Sequence, residues 1–179
     1  RYPLWSRGLG DVYKRQMVRE KTKMEKMLIS GVAADKNVAK IRVAGLGNDP
    51  ESTFRLLNLL DRNNLNIDVM IQSLGKDGTK SVSFTVAKPD MLRTIDVLND
   101  NKDLLGIKKL DYDENVAKVS VIGAGVRSHS GVAAKMFGAL ANAGINTEMV
   151  TTSEIRITAL IDEAYADQAM RAIHETFLE

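Results

Sequence analysis

Two short acidic motifs recur in this chain, Asn66-Ile67-Asp68 and Asn146-Thr147-Glu148, 80 positions apart. Upstream of each, a strand pattern ends in Gly-x-Gly. A polar loop then opens a helix pattern: Asn48-Asp49-Pro50-Glu51-Ser52 in one case and Arg127-Ser128-His129-Ser130-Gly131-Val132 in the other. Free N–H groups at a helix start attract a carboxylate, and an acid on the following strand can hold an ammonium. Together these features fit the backbone of a free amino acid. The same residues have an ordinary reading as well, in which Asp49 and Ser128 cap helices while Asp68 and Glu148 are solvated. Spacing alone leaves both open.

Other chemistries find less support. Val121 to Gly131 reads as a strand, Gly-x-Gly and a helix, the outline of a dinucleotide loop, but Ser128 stands where the third glycine belongs. No parallel βαβ unit with an acid about 20 residues on accompanies it. A single-stranded RNA platform needs exposed aromatics on its central strands, where Ile41, Val43, Val119 and Val121 stand instead. The chain has no cysteine and only two histidines, His129 and His174, so neither disulfides nor thiolate metal centres are available. No metal and no cofactor is expected.

The elements that must position these loops come in two copies. Val38-Ala-Lys-Ile-Arg-Val-Ala-Gly-Leu-Gly47 returns as Val116-Ala-Lys-Val-Ser-Val-Ile-Gly-Ala-Gly125, 78 positions later. A repeat of this period marks two copies of one small domain. Hydrophobic periodicity predicts strands over 28–34, 39–45, 66–73, 81–87, 107–112, 117–123, 147–153 and 155–161. Helices are predicted over 51–63, 89–99, 131–143 and 163–177. On the helix of the second copy Val132, Met136, Leu140 and Ala143 share a face, with Phe137 beside them; Phe54, Leu57 and Leu60 are read as the matching face of the first. Asp90 and Asp162 stand at expected N-caps, Asn64 and Gly144 at left-handed C-caps. Ser153-Glu154 is read as a turn.

Each copy thus runs strand–helix–strand–strand–helix. The first closes with a fourth strand at Ile107–Tyr112, whereas the second ends at Glu179 without one. The spare strand Leu28–Ala34 is therefore expected to complete the second sheet, since an open edge leaves unpaired backbone groups. This predicts an α+β chain of two ferredoxin-like βαββαβ domains, the first (36–114) inserted in the second (27–35 plus 115–179).

Composition adds bounds. The chain is 44% hydrophobic, as a packed core requires, and holds no apolar run near the ~20 residues of a membrane span. Residues 1–28 carry eight Lys/Arg against three Asp/Glu, which leaves 17 basic and 20 acidic residues in 29–179. The repeats are mildly acidic, which argues against nucleic-acid binding. Residues 1–16 show no helical or strand period and read as a non-native or unstructured leader; Met17–Met27 is charged and reads as a linker or weak helix.

From residue 29 onward the sequence resembles the paired ACT domains of the aspartate kinase C-terminal regulatory region. The resemblance is carried by Gly31-Val-Ala-Ala-Asp-Lys36, the repeated Ala-Lys-hydrophobic strand, Leu65-Asn-Ile-Asp-Val-Met-Ile-Gln72, Arg127-Ser-His-Ser-Gly-Val-Ala-Ala-Lys-Met-Phe137 and Thr151-Thr-Ser-Glu-Ile-Arg-Ile-Thr158. It implies binding of an end-product amino acid, lysine or threonine. The consequence would be allosteric feedback inhibition of ATP-dependent aspartate phosphorylation, in the lysine, threonine and methionine pathway of the cytoplasm. The effector positions it implies are Asp49, Glu51, Ser52, Asn66, Ile67, Asp68 and Gln72, with His129, Val132, Asn146, Thr147 and Glu148 supplied by the second domain of a partner chain. A homodimer and a catalytic kinase domain or subunit are the implied partners. No residue here is implied to be catalytic, and neither nucleic acid nor a membrane is an expected partner. Two departures stand out: Asp49-Pro50-Glu51 replaces the usual Lys-Pro-Gly, and Ser130 replaces the proline of Ser-His-Pro-Gly. The expected organisation is a separate regulatory subunit, starting at Met17 or Met24, or a truncated kinase. A stand-alone amino-acid sensor that regulates another protein is the alternative.

Overall fold

The computed structural model describes residues 29–124, 126 and 131–178; residues 1–28, which include the expected leader and linker, Gly125, Arg127 to Ser130 and Glu179 lie outside the described residues. The elements are β1 (Gly31–Leu46), α1 (Pro50–Arg62), β2 (Met70–Leu74), β3 (Lys80–Ala87), α2 (Met91–Asp100), α3 (Lys102–Leu105), β4 (Lys109–Ile122), α4 (Gly131–Asn142), β5 (Met149–Thr152), β6 (Arg156–Asp162) and α5 (Ala166–Leu178). Single 3₁₀ turns, Lys88–Asp90 and Glu163–Tyr165, lead into α2 and α5. The strands form one antiparallel sheet in the order β2-β3-β1-β4-β6-β5.

Four expected strands fuse into two. The segments 28–34 and 39–45 are one strand, β1, and 107–112 and 117–123 are one strand, β4. The polar triplets between them, Asp35-Lys36-Asn37 and Asp113-Glu114-Asn115, look like loops in the sequence but sit inside the ladder as bulges. In each, the Asn N–H donates to the Asp Oδ1 two residues back at 2.8 Å. The register shifts between Asp35 and Val38 and again between Val38 and Lys40, so each strand carries one extra residue. An extra residue changes which face the following side chains occupy. Val32 and Ala34 therefore pack on the C-terminal core, whereas Ala39, Ile41 and Val43 build the N-terminal one.

The expected insertion is present in the pairing. Gly31–Asp35 lie against Lys118–Ile122, filling the edge that the second copy lacks. The fold is α+β, with two ferredoxin-like units sharing their central strands. One core gathers Leu56, Leu60, Leu98 and Phe84. The other gathers Met136, Leu140, Ile173 and Phe177. A third, smaller cluster of Val38, Val69, Val116, Met149 and Leu160 joins the copies.

Three helix details differ from expectation. The buried face of α1 is Ser52, Leu56 and Leu60, while Phe54 is 64% exposed and Leu57 only half-buried. The i, i+4, i+8 spacing of the buried set gives one stripe, and Phe54 falls off it. Asp90 makes no capping bond, because it already has helical φ and ψ of −87° and −5°. Asp162, extended at −61° and 131°, does cap, accepting from the Ala164 N–H at 2.8 Å. Its structural counterpart in the first copy is Ala87, likewise extended but without a side chain that can accept. The short α3, not foreseen, carries Leu105 into the core and ends at left-handed Gly106.

Both C-caps form as expected. Asn64 (φ 54°) and Gly144 (φ 71°) are left-handed, and the next N–H reaches back five residues at 2.9 Å, Leu65 to the Leu60 carbonyl and Ile145 to the Leu140 carbonyl.

Candidate functional site: two cross-paired acids

These C-caps aim the chain into β2 and β5, so the two Asn-x-acid motifs begin from matched geometry. The pattern of burial along residues 61–69 is the same, position by position, as along 141–149. In both, the Leu65 or Ile145 anchor is buried, the asparagine (Asn66, Asn146) is exposed, the next residue (Ile67, Thr147) is half-buried and the acid is open to solvent. The acid's own N–H is tied to the neighbouring strand, Asp68 to the Thr85 carbonyl at 3.1 Å and Glu148 to that of Leu160 at 2.8 Å. Backbone is thus fixed while the carboxylate is presented.

Each carboxylate meets a lysine of the other copy. Asp68 pairs with Lys118, and Glu148 pairs with Lys40. Lys40 and Lys118 are the same residue of the repeated Val-Ala-Lys, 78 positions apart. Lys118 is only 14% exposed along its side chain and lies also 3.5 Å from Asp35. The sequence motifs do not single out these lysines or Asp35 as site residues. The available signal was a lysine placed in the middle of an otherwise apolar strand, twice.

The loop leading into α1 is a separate cluster. Asp49 caps the helix, accepting from the Glu51 N–H at 3.0 Å, with Pro50 at the first helical position. The buried Ser52 hydroxyl donates to the carbonyls of Gly47 (2.6 Å) and Asp49 (3.1 Å). Gln72 accepts from the Thr53 hydroxyl, and Lys80 Nζ donates to the Asp49 carbonyl at 2.9 Å. Arg55 donates to Glu51 at 2.8 Å, a bond that raises the guanidinium pKa further. Thr53, Arg55 and Lys80 complete a polar mouth that the motifs alone did not reveal. Gly45 above it is needed for its backbone, with φ of 85° and room for no Cβ beside the Lys108 side chain at 2.5 Å.

Within one chain the helix start and the acid of the same copy stand apart. Gln72 is at the loop, but Asp68 lies four residues earlier, before β2 begins, about 13 Å away along extended backbone. Of the second-copy positions, Glu148 forms the Lys40 pair, Asn146 and Thr147 immediately precede it, and Val132 is buried in the C-terminal core at the place Ser52 takes in the first copy. His129 lies outside the described residues. Among the described residues no group of three or more His, Cys, Asp or Glu side chains is placed to hold a metal. No described helix is long and apolar enough to cross a membrane.

Comparison with known proteins places this geometry. An ACT domain family model matches residues 119–177. The aspartokinase of Pseudomonas aeruginosa is 37% identical over 158 residues, 88% of this chain and 38% of that protein. The Helicobacter pylori aspartokinase is 39% identical over 155 residues, 87% of this chain and again 38% of its own. The chain therefore spans under two-fifths of the length of these curated relatives. Among solved structures, a chain of aspartokinase alpha and beta subunits superposes with a TM-score of 0.78 at 42% identity, over 83% of this chain and 98% of that one. The ligand-free regulatory subunit of aspartate kinase from Thermus thermophilus gives 0.79 at 33% identity, over 84% and 99%. Two copies of one βαββαβ unit, sharing their long central strands and matching such regulatory chains almost end to end, make this chain a member of the aspartokinase family and its regulatory, ACT-domain piece.

Proposed function

We propose that the chain is an amino-acid sensor that binds lysine, threonine or both and, with its effector bound, inhibits phosphorylation of aspartate by an aspartokinase catalytic domain or subunit. The observation that carries this reading is the duplicated acid. Asp68 and Glu148 are held by matched left-handed caps and matched backbone bonds, each with its carboxylate open to solvent and facing an ammonium. A carboxylate so held suits the ammonium of a free amino acid. The polar mouth at the start of α1 suits its carboxylate.

The acid and the mouth of one copy are far apart in the chain, so a ligand touching both uses residues from two chains. The outer strands β2 and β5 leave two sheet edges for such a pairing. The assembly proposed is a homodimer with effector sites between protomers. Calorimetric titration of the full chain with each of the twenty amino acids tests this. Heat is expected for lysine or threonine, with Kd between about 1 μM and 1 mM, equivalent to roughly −8 to −4 kcal/mol. Silence from all twenty would sink the sensor reading. Light scattering that reports a monomer at every concentration, with and without those ligands, would rule out the dimer.

A further inference from the structure

Both candidate acids are engaged by side chains of the chain itself. The engaging group is the primary ammonium of a lysine, the same chemical group that a free amino acid would offer. We propose that Lys118 and Lys40 are resident counter-ions which hold Asp68 and Glu148 until an amino-acid ammonium displaces them. The proposal rests on the sensor reading above.

Three observations carry it. The arrangement is made twice, from the same repeat positions, and each time it crosses from one copy to the other. The lysine is the sheltered partner and the acid the open one: side-chain exposure is 14% for Lys118 against 61% for Asp68, and 24% for Lys40 against 36% for Glu148. A ligand can therefore approach the carboxylate from solvent while the lysine stem stays on the sheet. Finally, Asp35 stands 3.5 Å from Lys118, so the ammonium released by Asp68 keeps an acid beside it. Displacement need not strand a charge.

The consequence is regulatory. Each ion pair ties one copy to the other, so a ligand that takes the acid also removes a tie between copies. An effector shifts a conformational equilibrium only through such a difference in contacts between two states. The resident lysine also sets the threshold, since the ligand must compete with a tethered ammonium before it binds.

The test is titration of L-lysine and L-threonine into the full chain as wild type, Lys118→Met and Lys40→Met, with Lys118→Gln in reserve should the methionine variant not fold. Both neutral variants are expected to bind at least one of the two amino acids about 2- to 5-fold more tightly, the scale of a partly exposed ion pair. Lys118→Arg, which keeps the cation, is expected to bind as wild type does. A double-mutant cycle on unfolding, Lys118→Met with Asp68→Asn, should show coupling between the two positions with no ligand present. Wild type that binds while the neutral variants bind no tighter overturns the proposal and leaves the sensor reading standing. Absence of coupling in the cycle overturns it as well. Failure of wild type and every variant to bind either amino acid overturns both.

Discussion

Val38 of β1 stands directly opposite Val116 of β4, and the two are the same residue of the two copies, 78 positions apart. Both are buried, in the small cluster that joins the halves. A pair of equivalent residues facing each other in an antiparallel ladder marks a local twofold axis. Three further features obey it: the bulges at Asp35 and Asp113, the caps at Asn64 and Gly144, and the two lysine–acid pairs are each related by it.

The position of α1 gives a direct test of packing. Leu56 is fully buried, whereas Phe54 is 64% exposed. Leu56→Ala is expected to destabilise by about 2–5 kcal/mol through lost burial and a cavity. Phe54→Ala should change stability by no more than about 0.5 kcal/mol despite removing the larger side chain. Urea denaturation of both variants checks the pair, and a larger loss at Phe54 would refute the assigned face.

At the cap of α4, a Cβ on Gly144 would meet nothing within 4 Å, so the φ of 71° alone decides the outcome. Gly144→Ala is expected to cost about 1 kcal/mol by the left-handed strain of an L side chain. Asn64→Gly, at the matched position of α1, should be neutral or slightly stabilising. Thermal unfolding of the two single variants provides the comparison.

The β2–β3 hairpin carries a pH signature. The Asp77 carboxylate accepts from the Thr79 N–H at 3.0 Å and from its hydroxyl at 2.9 and 3.0 Å, and these bonds hold its pKa below the ordinary carboxylate range, the backbone bond first. A pKa lower in the folded state than in the unfolded one means stabilisation that is fully present above the unfolded value. It is lost as the pH falls through the folded one. Carbon-detected NMR titration should show Asp77 protonating below the ordinary aspartate range. Thr79→Ala should raise that pKa only in part, because the backbone donor remains.

For the acid itself, Asp68→Ala removes a charge-assisted contact to the proposed effector. The expected loss is roughly 1.5–3 kcal/mol, or about 10- to 150-fold in affinity for lysine or threonine. In complex with a kinase catalytic part the variant should resist inhibition without change in the uninhibited rate. Unchanged effector affinity in a folded Asp68→Ala protein would place the site elsewhere.

The sequence carried the architecture because it stated it twice. The spare N-terminal strand followed from counting, and its pairing with β4 is present. The repeat also held information that single-helix periodicity obscured. Val132, Met136 and Leu140 align with Ser52, Leu56 and Leu60 at the offset of 80, so the second copy already named the buried face of the first. Phe54 was misleading because aromatic size outweighed phase. Asp35-Lys36-Asn37 read as a loop because polar triplets normally end strands; only the ladder on both sides reveals a bulge. The lysine–acid pairs were illegible for a different reason. Each joins residues far apart in sequence, and no local pattern encodes a contact across 50 or 108 positions.

Because β1 and β4 run unbroken through both halves, the two units are mounted on a common pair of rods rather than strung on a linker. A flexible linker would let the halves reorient freely and transmit nothing. Here any rotation of one half against the other must pass through the sheet as torsion. Regular ladder resists it, and the bulges at Asp35–Asn37 and Asp113–Asn115, where the register is already interrupted, are where that twist is most readily absorbed. The interruption of the ladder and the symmetry axis therefore coincide, within a few residues of Lys40 and Lys118.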